Sequence, residues 1–216
     1  MSCNVMIDLK AIGTAFALSP KGYSATLLCE FSGHYKLENK VQIELVVSKA
    51  ASSGRPLDVY TSELNELICT GTILRVAGQL EKIAYQEREG GREVEKLRLF
   101  AYRVEPSNET EPVYSVATII GKVKLRDTVA GGVSFFVSVV PKEENARSAF
   151  LNILVGANGD KLVRRVTKMN LNEKSYIQAI GKLEASSATG LLFLRLHEVD
   201  YAKFPKRKEV VKNEVA

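Results

Sequence analysis

The chain has 216 residues, of which 45% are hydrophobic and 25% are charged, and its formal net charge is +5 at pH 7. This composition is ordinary for a soluble globular protein, and the length suits one large domain or two of about 100–110 residues. We expect no membrane contact and no secretory signal, because no apolar stretch approaches the roughly 20 residues that span a bilayer and no basic segment with a following apolar run opens the chain.

Short apolar runs alternate with polar residues at a period of two, which predicts a mainly β protein. The segment 105–112 is polar and contains two prolines, so we expect a linker near the middle of the chain. Residues 1–108 hold 13 basic and 13 acidic side chains, whereas residues 109–216 hold 17 and 12. The positive excess therefore lies in the second half, which a polyanionic partner would favour.

The same order of predicted elements occurs before and after the linker. In the first half they are a strand containing Ile12-Gly13, strands at 24–31 and 41–47, a helix at 56–67, a strand at 72–81 and a strand containing Leu97-Arg98-Leu99. Their matches in the second half, in the same order, are a strand containing Ile120-Gly121, strands at 133–140 and 149–155, a helix at 160–168, a strand at 175–184 and a strand containing Leu194-Arg195-Leu196. The first three strands match at a separation of 108 residues, the fourth at 103 and the fifth at 97. Five matches in one order indicate an internal repeat.

Three strands, a helix and two strands follow the order of the OB fold, a five-stranded barrel. The sequence therefore predicts two tandem OB-fold barrels, each with a short helix between strands three and four. The predicted domains are 1–105 and 113–204, and a basic tail at 205–216 follows them. Closing each sheet into a barrel removes exposed strand edges.

The second copy resembles the bacterial single-stranded DNA-binding protein family. The stretches that carry the resemblance are Ala117-Thr-Ile-Ile-Gly-Lys-Val123, Phe150-Leu-Asn-Ile-Leu-Val-Gly156 and the run 171–184, which ends Gly-Lys-Leu-Glu. The resemblance implies sequence-nonspecific binding and protection of single-stranded DNA in replication, recombination or repair. The chain departs from the family in having no tryptophan and no acidic C-terminal tip, so recruitment of partners by the tail is not expected.

OB barrels bind single strands across an outer face centred on strands two and three, where cations contact phosphates and aromatic rings stack on bases. Strand alternation predicts which side chains of the second copy reach that face. The candidate stacking rings are Phe136, Phe150 and Tyr176, and the candidate phosphate contacts are Lys122, Lys124, Lys182 and Arg195. The alternatives are that the two phenylalanines belong to the core and that the tyrosine lies in a subunit interface.

The first copy is poorer in such side chains. Its best candidates are Arg75, Arg98 (matched to Arg195) and Tyr85, which lies in the loop between the fourth and fifth strands. Glu44 is predicted to lie on the same face and would repel phosphate. We therefore expect the second copy to bind more strongly, while the first adds length or a dimer surface.

We do not expect an enzyme, a metal site or a cofactor, because the sequence shows neither clustered carboxylates nor a phosphate-binding glycine motif. The three cysteines, Cys3, Cys29 and Cys69, are far apart and odd in number. This spacing predicts free thiols in a reducing compartment, and hence a cytoplasmic protein.

Two alternatives remain open at the level of sequence. An OB pair can serve as a protein-interaction or assembly module with little nucleic-acid binding, because OB folds host many functions. Single-stranded RNA is an alternative ligand, since stacking rings accept bases of either nucleic acid. Two barrels per chain fit a monomer with two sites or a homodimer presenting four barrels.

Overall fold

We describe the chain from a computed structural model, which defines residues 1–33, 40–49, 51–52, 54–86, 93–110, 114–129, 132–139, 148–185 and 192–203. The predicted basic tail, 205–216, lies outside these residues. Within them the elements are β1 (Ser2–Ala11), β2 (Ala17–Leu18), β3 (Ser24–Phe31), β4 (Val41–Ser48), α1 (Leu57–Leu67), β5 (Ile73–Gln86), β6 (Glu93–Pro106), β7 (Ser115–Val129), β8 (Gly132–Val139), β9 (Ser148–Ala149), β10 (Leu151–Asn158), α2 (Asp160–Lys168), β11 (Tyr176–Ala185) and β12 (Leu192–Tyr201). The predicted mainly β class is confirmed.

The strands form two closed circuits. The strands β1, β3, β4, β6 and β5 pair in that order, and β5 returns to β1; β7, β8, β10, β12 and β11 pair in that order, and β11 returns to β7. The pairs β4–β6 and β10–β12 are parallel. Helix α1 follows β4 and α2 follows β10, so a helix separates the third and fourth main strands of each circuit. We call the two circuits the first and second repeat.

Each repeat buries the side chains at alternate strand positions, as expected for a sheet closed around a core. Ile7 and Leu9 of β1 are fully buried, and so are Ile177, Ala179 and Leu183 of β11. Burying an aliphatic side chain of this size contributes about 1.5–3 kcal/mol. The predicted linker is shorter than expected at its start, because β6 extends to Pro106.

The pairing shows which residues of the two repeats correspond. The register between the fourth and fifth main strands shifts just before Gly78 in the first repeat and just before Gly181 in the second. A Cβ atom at either position would collide with a backbone carbonyl of the facing strand, which explains the glycine in both repeats. The predicted separation of the fourth strands is thereby confirmed.

The first strands match in a different register from the one predicted. Val5 pairs with Gly78, and Ala117 pairs with Gly181, so Val5 corresponds to Ala117. This separation is four residues longer than the sequence match indicated. A shift by an even number of residues keeps every side chain on its face, because strand side chains alternate with a period of two.

The fifth strands also match in a different register, two residues closer than predicted. Leu99 pairs with Leu80, and Leu194 pairs with Leu183. The predicted match of Arg98 to Arg195 is therefore wrong. The counterpart of Arg98 is Phe193, and that of Arg195 is Phe100. The third strands also match in a different register, two residues farther apart than predicted. Glu44 pairs with Arg98 and Leu154 pairs with Phe193, so Glu44 corresponds to Leu154.

The two repeats are joined by antiparallel pairing of β1 with β7. In this ladder Val5 pairs with Ala117, Met6 with Val116 and Asn4 with Thr118. Because Val5 and Ala117 also correspond to each other in the repeat, the ladder is symmetric about this pair. The chain thus contains an internal pseudo-two-fold axis of the kind that relates the subunits of a symmetric dimer.

Segments that follow the second main strand of each repeat strengthen this junction reciprocally. After β3, the carbonyl of Ser32 accepts a hydrogen bond from the backbone amide of Ala185 on β11 at 2.9 Å. On the other side of the pseudo-two-fold axis, β9 pairs with β5, placing Ala149 opposite Lys82. Each repeat therefore extends the sheet of the other, which favours cooperative unfolding of the two.

Gly33 is the position at which this junction is most sensitive to substitution. Its φ of +67° suits glycine, and an added Cβ would lie 2.9 Å from the Cα of Glu184 and collide with the carbonyl of Leu183. We expect Gly33→Ala to lower the free energy of unfolding by about 3 kcal/mol, measured by urea denaturation. Gly22 is the matched control, because its φ is +64° but nothing lies within 4 Å. Equal losses for the two alanine variants would contradict the packing of this junction.

The buried cysteines are chemically shielded. Burial raises the pKa of Cys3 to about 12 and that of Cys29 to about 12, since desolvation disfavours the thiolate. Cys69 is exposed.

We therefore expect a chromogenic disulfide reagent at pH 8 to modify Cys69 rapidly in the native protein. Cys3 and Cys29 should react only after denaturant is added, because the thiolate is the nucleophile and is scarce far below its pKa. Rapid modification of all three thiols without denaturant would show that the barrel interiors are open to solvent.

Candidate nucleic-acid interface

The outer face of the second repeat is built of three cross-strand rows. The first row crosses β11, β7, β8 and β10 and contains Tyr176, Lys122, Ser138 and Asn152. The second row crosses β8, β10, β12 and β11 and contains Phe136, Leu154, Phe193 and Glu184. The third row crosses the same four strands and contains Ser134, Gly156, Arg195 and Lys182. Cross-strand neighbours on one face lie about 5 Å apart. The rows bring Phe136, Tyr176, Lys122, Lys182 and Arg195 onto one side of the sheet. Phe150 and Lys124 contact each other and lie two residues along the chain from Asn152 and Lys122 of the first row. We call the rows together with these two residues the second-repeat face.

All three predicted rings keep part of their area exposed to solvent. Phe150, between β9 and β10, is 53% exposed, and the Nζ of Lys124 lies 5.6 Å from the centre of its ring. Phe136 is half-buried on β8, with its backbone paired to Leu154. Tyr176 is also half-buried, and it lies opposite Lys122.

Phe193 is a third phenylalanine on the face, and the sequence analysis missed it. It is half-buried and lies between Leu154 and Glu184 in the second row. Its ring packs over Gly156, where an added Cβ would lie 2.7 Å from the Cζ of Phe193. The alternation of Leu192, Leu194 and Leu196, all buried, was the available signal, because it places Phe193 beside Arg195 on the outer side.

The positive charges of the face are only partly neutralised. Lys182 and Arg195 flank Glu184, with Nζ–Oε1 and Nη2–Oε2 distances of 3.7 Å and 3.4 Å. Glu184 is 9% exposed, and its Oε1 accepts no hydrogen bond within the described part of the chain. Among the described residues no carboxylate pairs with Lys122 or Lys124. Glu184 therefore offsets part of the charge of Lys182 and Arg195, and the exposed Glu198 lies one row further along the same side of β12.

The equivalent face of the first repeat is neutralised by ion pairs. Arg98 forms an ion pair with Glu44, its cross-strand neighbour. Lys40 pairs with Glu30 at 2.9 Å. The aromatic content is lower as well, because Leu28, which is 43% exposed, corresponds to Phe136. Arg98 is thus placed on the expected face, but its charge is held by a neighbour.

Arg75 lies away from this face, on the outer side of the junction between the repeats. Its Nε and Nη2 donate to the two carboxylate oxygens of Asp8 at 2.9 Å and 3.2 Å, which raises the pKa of Arg75. Asp8 is buried and also accepts a hydrogen bond from the backbone amide of Tyr114 at 2.9 Å. The guanidinium carbon lies 4.9 Å from the centre of the Tyr114 ring. Arg75 therefore fastens the end of the linker to β1.

Tyr85 was predicted to lie in the loop between the fourth and fifth strands, but it lies within β5, opposite Val94, because the two strands pair beyond it. The Nζ of Lys96 lies 5.1 Å from the centre of its ring, and a hydrogen bond with Tyr85 raises the pKa of Lys96. The ring and the cation are adjacent on the hairpin of β5 and β6. Tyr85 is thus separate from the second-repeat face.

We expect the loss of Arg75 to lower the free energy of unfolding more than the loss of its ion-pair partner Asp8. Arg75→Leu leaves a fully buried carboxylate without the guanidinium that faces it, which should cost about 3–5 kcal/mol. Asp8→Asn leaves a partly solvated guanidinium and should cost about 1–3 kcal/mol. Urea denaturation of the two variants measures both losses. A larger loss for Asp8→Asn would contradict this account.

Other kinds of site find little support in the described residues. No group of three or more histidine, cysteine, aspartate or glutamate side chains among them is arranged to hold a metal ion. None of the helices placed in the structure is long and apolar enough to cross a membrane.

Comparison with known proteins gives a match in structure but not in sequence. No protein-family model matches the chain, and no curated protein matches its sequence. The crystal structure of the wild-type single-stranded DNA binding protein from Thermus aquaticus is similar, with a TM-score of 0.57 and 14% identity over 95% of both chains. A deletion mutant of the same protein gives a TM-score of 0.56 and 15% identity over 95% of this chain and 98% of the other. The chain is therefore similar in fold to the Thermus aquaticus single-stranded DNA binding protein along nearly its whole length.

Proposed function

We propose that the protein binds single-stranded DNA without sequence preference, mainly through the second-repeat face. One observation carries the proposal: three phenylalanines and four cations lie on or beside this face, and Glu184 is the carboxylate within its described rows, whereas Arg98 and Lys40 on the corresponding face of the first repeat are ion-paired. Phe136, Phe150 and Phe193 supply flat rings, and Lys122, Lys124, Lys182 and Arg195 supply charge. Rings accept any base and cations accept any phosphate, so this combination binds single strands with little regard to sequence.

Each repeat is proposed to be an OB-type barrel, with domain limits at 1–105 and 113–204. The closed circuits, the parallel third–fifth strand pair and the intervening helix support this assignment. The likeness in fold to the Thermus aquaticus protein also supports it.

The proposed role is protection of single strands during replication, recombination or repair, without catalysis and without a cofactor. Such a protein would act in the cytoplasm. DNA is proposed over RNA because the similar solved structures are named as DNA-binding. A comparison of oligothymidylate with oligouridylate distinguishes the two ligands.

A second candidate function, contact with another protein at the junction between the repeats, has an observation of its own. Met6 and Val116 are cross-strand neighbours on β1 and β7, and they are 41% and 37% exposed. Adjacent exposed apolar side chains favour burial against a partner. A second copy of this chain is the proposed partner, giving a homodimer with four barrels.

Fluorescence anisotropy with labelled oligothymidylate and a matched duplex, at two salt concentrations, tests the DNA-binding function. We expect tight binding of the single strand that weakens steeply with salt, because counterions are released from phosphates on binding. An absence of binding at low salt would overturn the proposal and favour the second candidate function, contact with another protein.

Substitution of single rings tests where the strand lies. We expect Phe150→Ala and Phe193→Ala each to weaken oligothymidylate binding by about 1–3 kcal/mol, because each removes a stacking ring. Leu28→Ala is the matched control, since it removes an exposed apolar side chain from the corresponding face of the first repeat. An effect of Leu28→Ala as large as those of the two phenylalanine variants would rule out the second-repeat face as the main contact.

Glu184 offers a test in the opposite direction. Glu184→Gln removes the carboxylate that faces Lys182 and Arg195, so both cations become available to phosphates. We expect tighter binding at low salt and a plot of log affinity against log salt that is steeper by about 1.4, because each freed cation adds about 0.7. Glu44→Gln, which frees Arg98 in the first repeat, should change little. Tightening by Glu44→Gln alone would reverse the assignment of the two repeats.

A further inference from the structure

Helix α2 carries a stripe of positive charge that the second-repeat face does not include. Lys161, Arg164, Arg165 and Lys168 recur every three or four residues, and all are exposed. Arg165 pairs with Asp200 at 2.9 Å, and no described carboxylate pairs with the other three. Like charges four residues apart destabilise a helix by about 0.2–0.5 kcal/mol per pair. Arg165 and Lys168 lie in the last turn, where the helix dipole favours cations, so helix stability explains those two residues but not Lys161 and Arg164.

An exposed aromatic ring lies beside this stripe. An open groove of about 790 Å³ runs between α2 and the end of β12, and Tyr201 lines it together with the four basic residues of the stripe and with Asp160 and Asp200. Tyr201 is 50% exposed, and its hydroxyl donates to the backbone carbonyl of Met169 at the end of the helix. The ring is thus held against the groove with much of its area open to solvent. We call this region the α2 groove.

The corresponding helix of the first repeat has the opposite charge. Helix α1 exposes Asp58, Glu63 and Glu66. Because the two helices follow the same strand of their repeats, the fold does not require the basic stripe on α2. The charge belongs to the second repeat alone, which also carries the unpaired cations of its outer face.

The α2 groove lies at the end of a strand that forms part of the second-repeat face. β12 carries Phe193 and Arg195 on that face and ends at Tyr201. Six residues of strand separate Arg195 from Tyr201, a distance of about 20 Å at roughly 3.3 Å per residue. Tyr201 pairs with the buried Ile177, so its side chain lies on the other side of β12 from Phe193 and Arg195. A DNA strand that reaches the groove therefore passes around the end of β12, beyond Glu198 and Asp200.

We propose that the α2 groove is a second contact surface for the same single strand of DNA. Lys161, Arg164 and Lys168 contact phosphates, and Tyr201 stacks on one base. The inference rests on the proposed function, and it extends the contact beyond the face already described. An acidic protein segment would satisfy the cations but would leave the ring without a role, so a nucleic acid fits the groove better.

Two lengths of oligothymidylate separate this inference from the proposed function. A strand of about 10 nucleotides fits a single barrel face, and one of about 40 nucleotides can continue to the groove. We expect the triple variant Lys161→Gln, Arg164→Gln and Lys168→Gln to flatten the salt dependence of the long strand by about 2 in log–log slope. Its binding of the short strand should equal that of the unmodified protein.

The matched control carries Lys21→Gln, Lys49→Gln and Arg103→Gln, which remove the same charge from exposed positions of the first repeat. This control should leave the long-strand slope unchanged. If the short strand binds and both triple variants give the same long-strand slope, the α2 groove is overturned while the proposed function stands. If the short strand does not bind, the proposed function itself fails.

Tyr201 tests the base contact. Tyr201→Leu removes the ring, whereas Tyr201→Phe keeps the ring and removes only the hydrogen bond to Met169. We expect Tyr201→Leu to weaken long-strand binding at least about fivefold and Tyr201→Phe to leave it unchanged. Equal losses for the two variants would indicate a structural role of the hydroxyl. If the α2 variant loses binding to polyglutamate but not to the long strand, the groove takes an acidic protein segment and the inference is overturned.

Discussion

The pairing of β1 with β7 is the constraint on which the rest of the structure depends. It is centred on Val5 and Ala117, two residues that occupy the same place in their repeats, so it relates the two repeats by a pseudo-two-fold axis. On one side of the axis the hydrogen bond between Ala185 and Ser32 joins the repeats, and on the other side the pairing of β9 with β5 joins them. Asp8 and Arg75 hold the linker against the same ladder. The two repeats therefore have a fixed relative orientation, and each outer face has a defined place on the molecule.

On this symmetric frame the chemistry is asymmetric. At corresponding strand positions the first repeat has an ion pair between Arg98 and Glu44, whereas the second has Phe193 and Leu154. The helices differ in the same sense, since α1 is acidic and α2 is basic. Tandem duplication in one chain allows this divergence, because the two copies are free to change independently, unlike identical subunits. The proposed division of labour gives contact with the strand to the second repeat and leaves the first mainly to build the junction.

The sequence predicted the elements and their order well, because strand alternation and turn residues are local signals. It did not predict the register of the first, third and fifth strands. Those errors were of two or four residues, which leave every side chain on its original face, so the pattern that revealed the strands could not detect the shift. The shift nevertheless changed the counterpart of Arg98 in the second repeat from Arg195 to Phe193. The buried ion pair of Asp8 and Arg75 was also missed, since it joins residues 67 positions apart and a lone aspartate in a strand gives no local signal.

The central claim is that the second repeat makes most of the contact with DNA. Ultraviolet cross-linking of the protein to oligothymidylate, followed by mass spectrometry of the peptides, tests it directly because rings stacked on bases form adducts. We predict adducts in the peptides that contain Phe136, Phe150 and Phe193. Adducts confined to the first repeat, at Phe100 or Tyr85, or divided evenly between the repeats, would contradict the account.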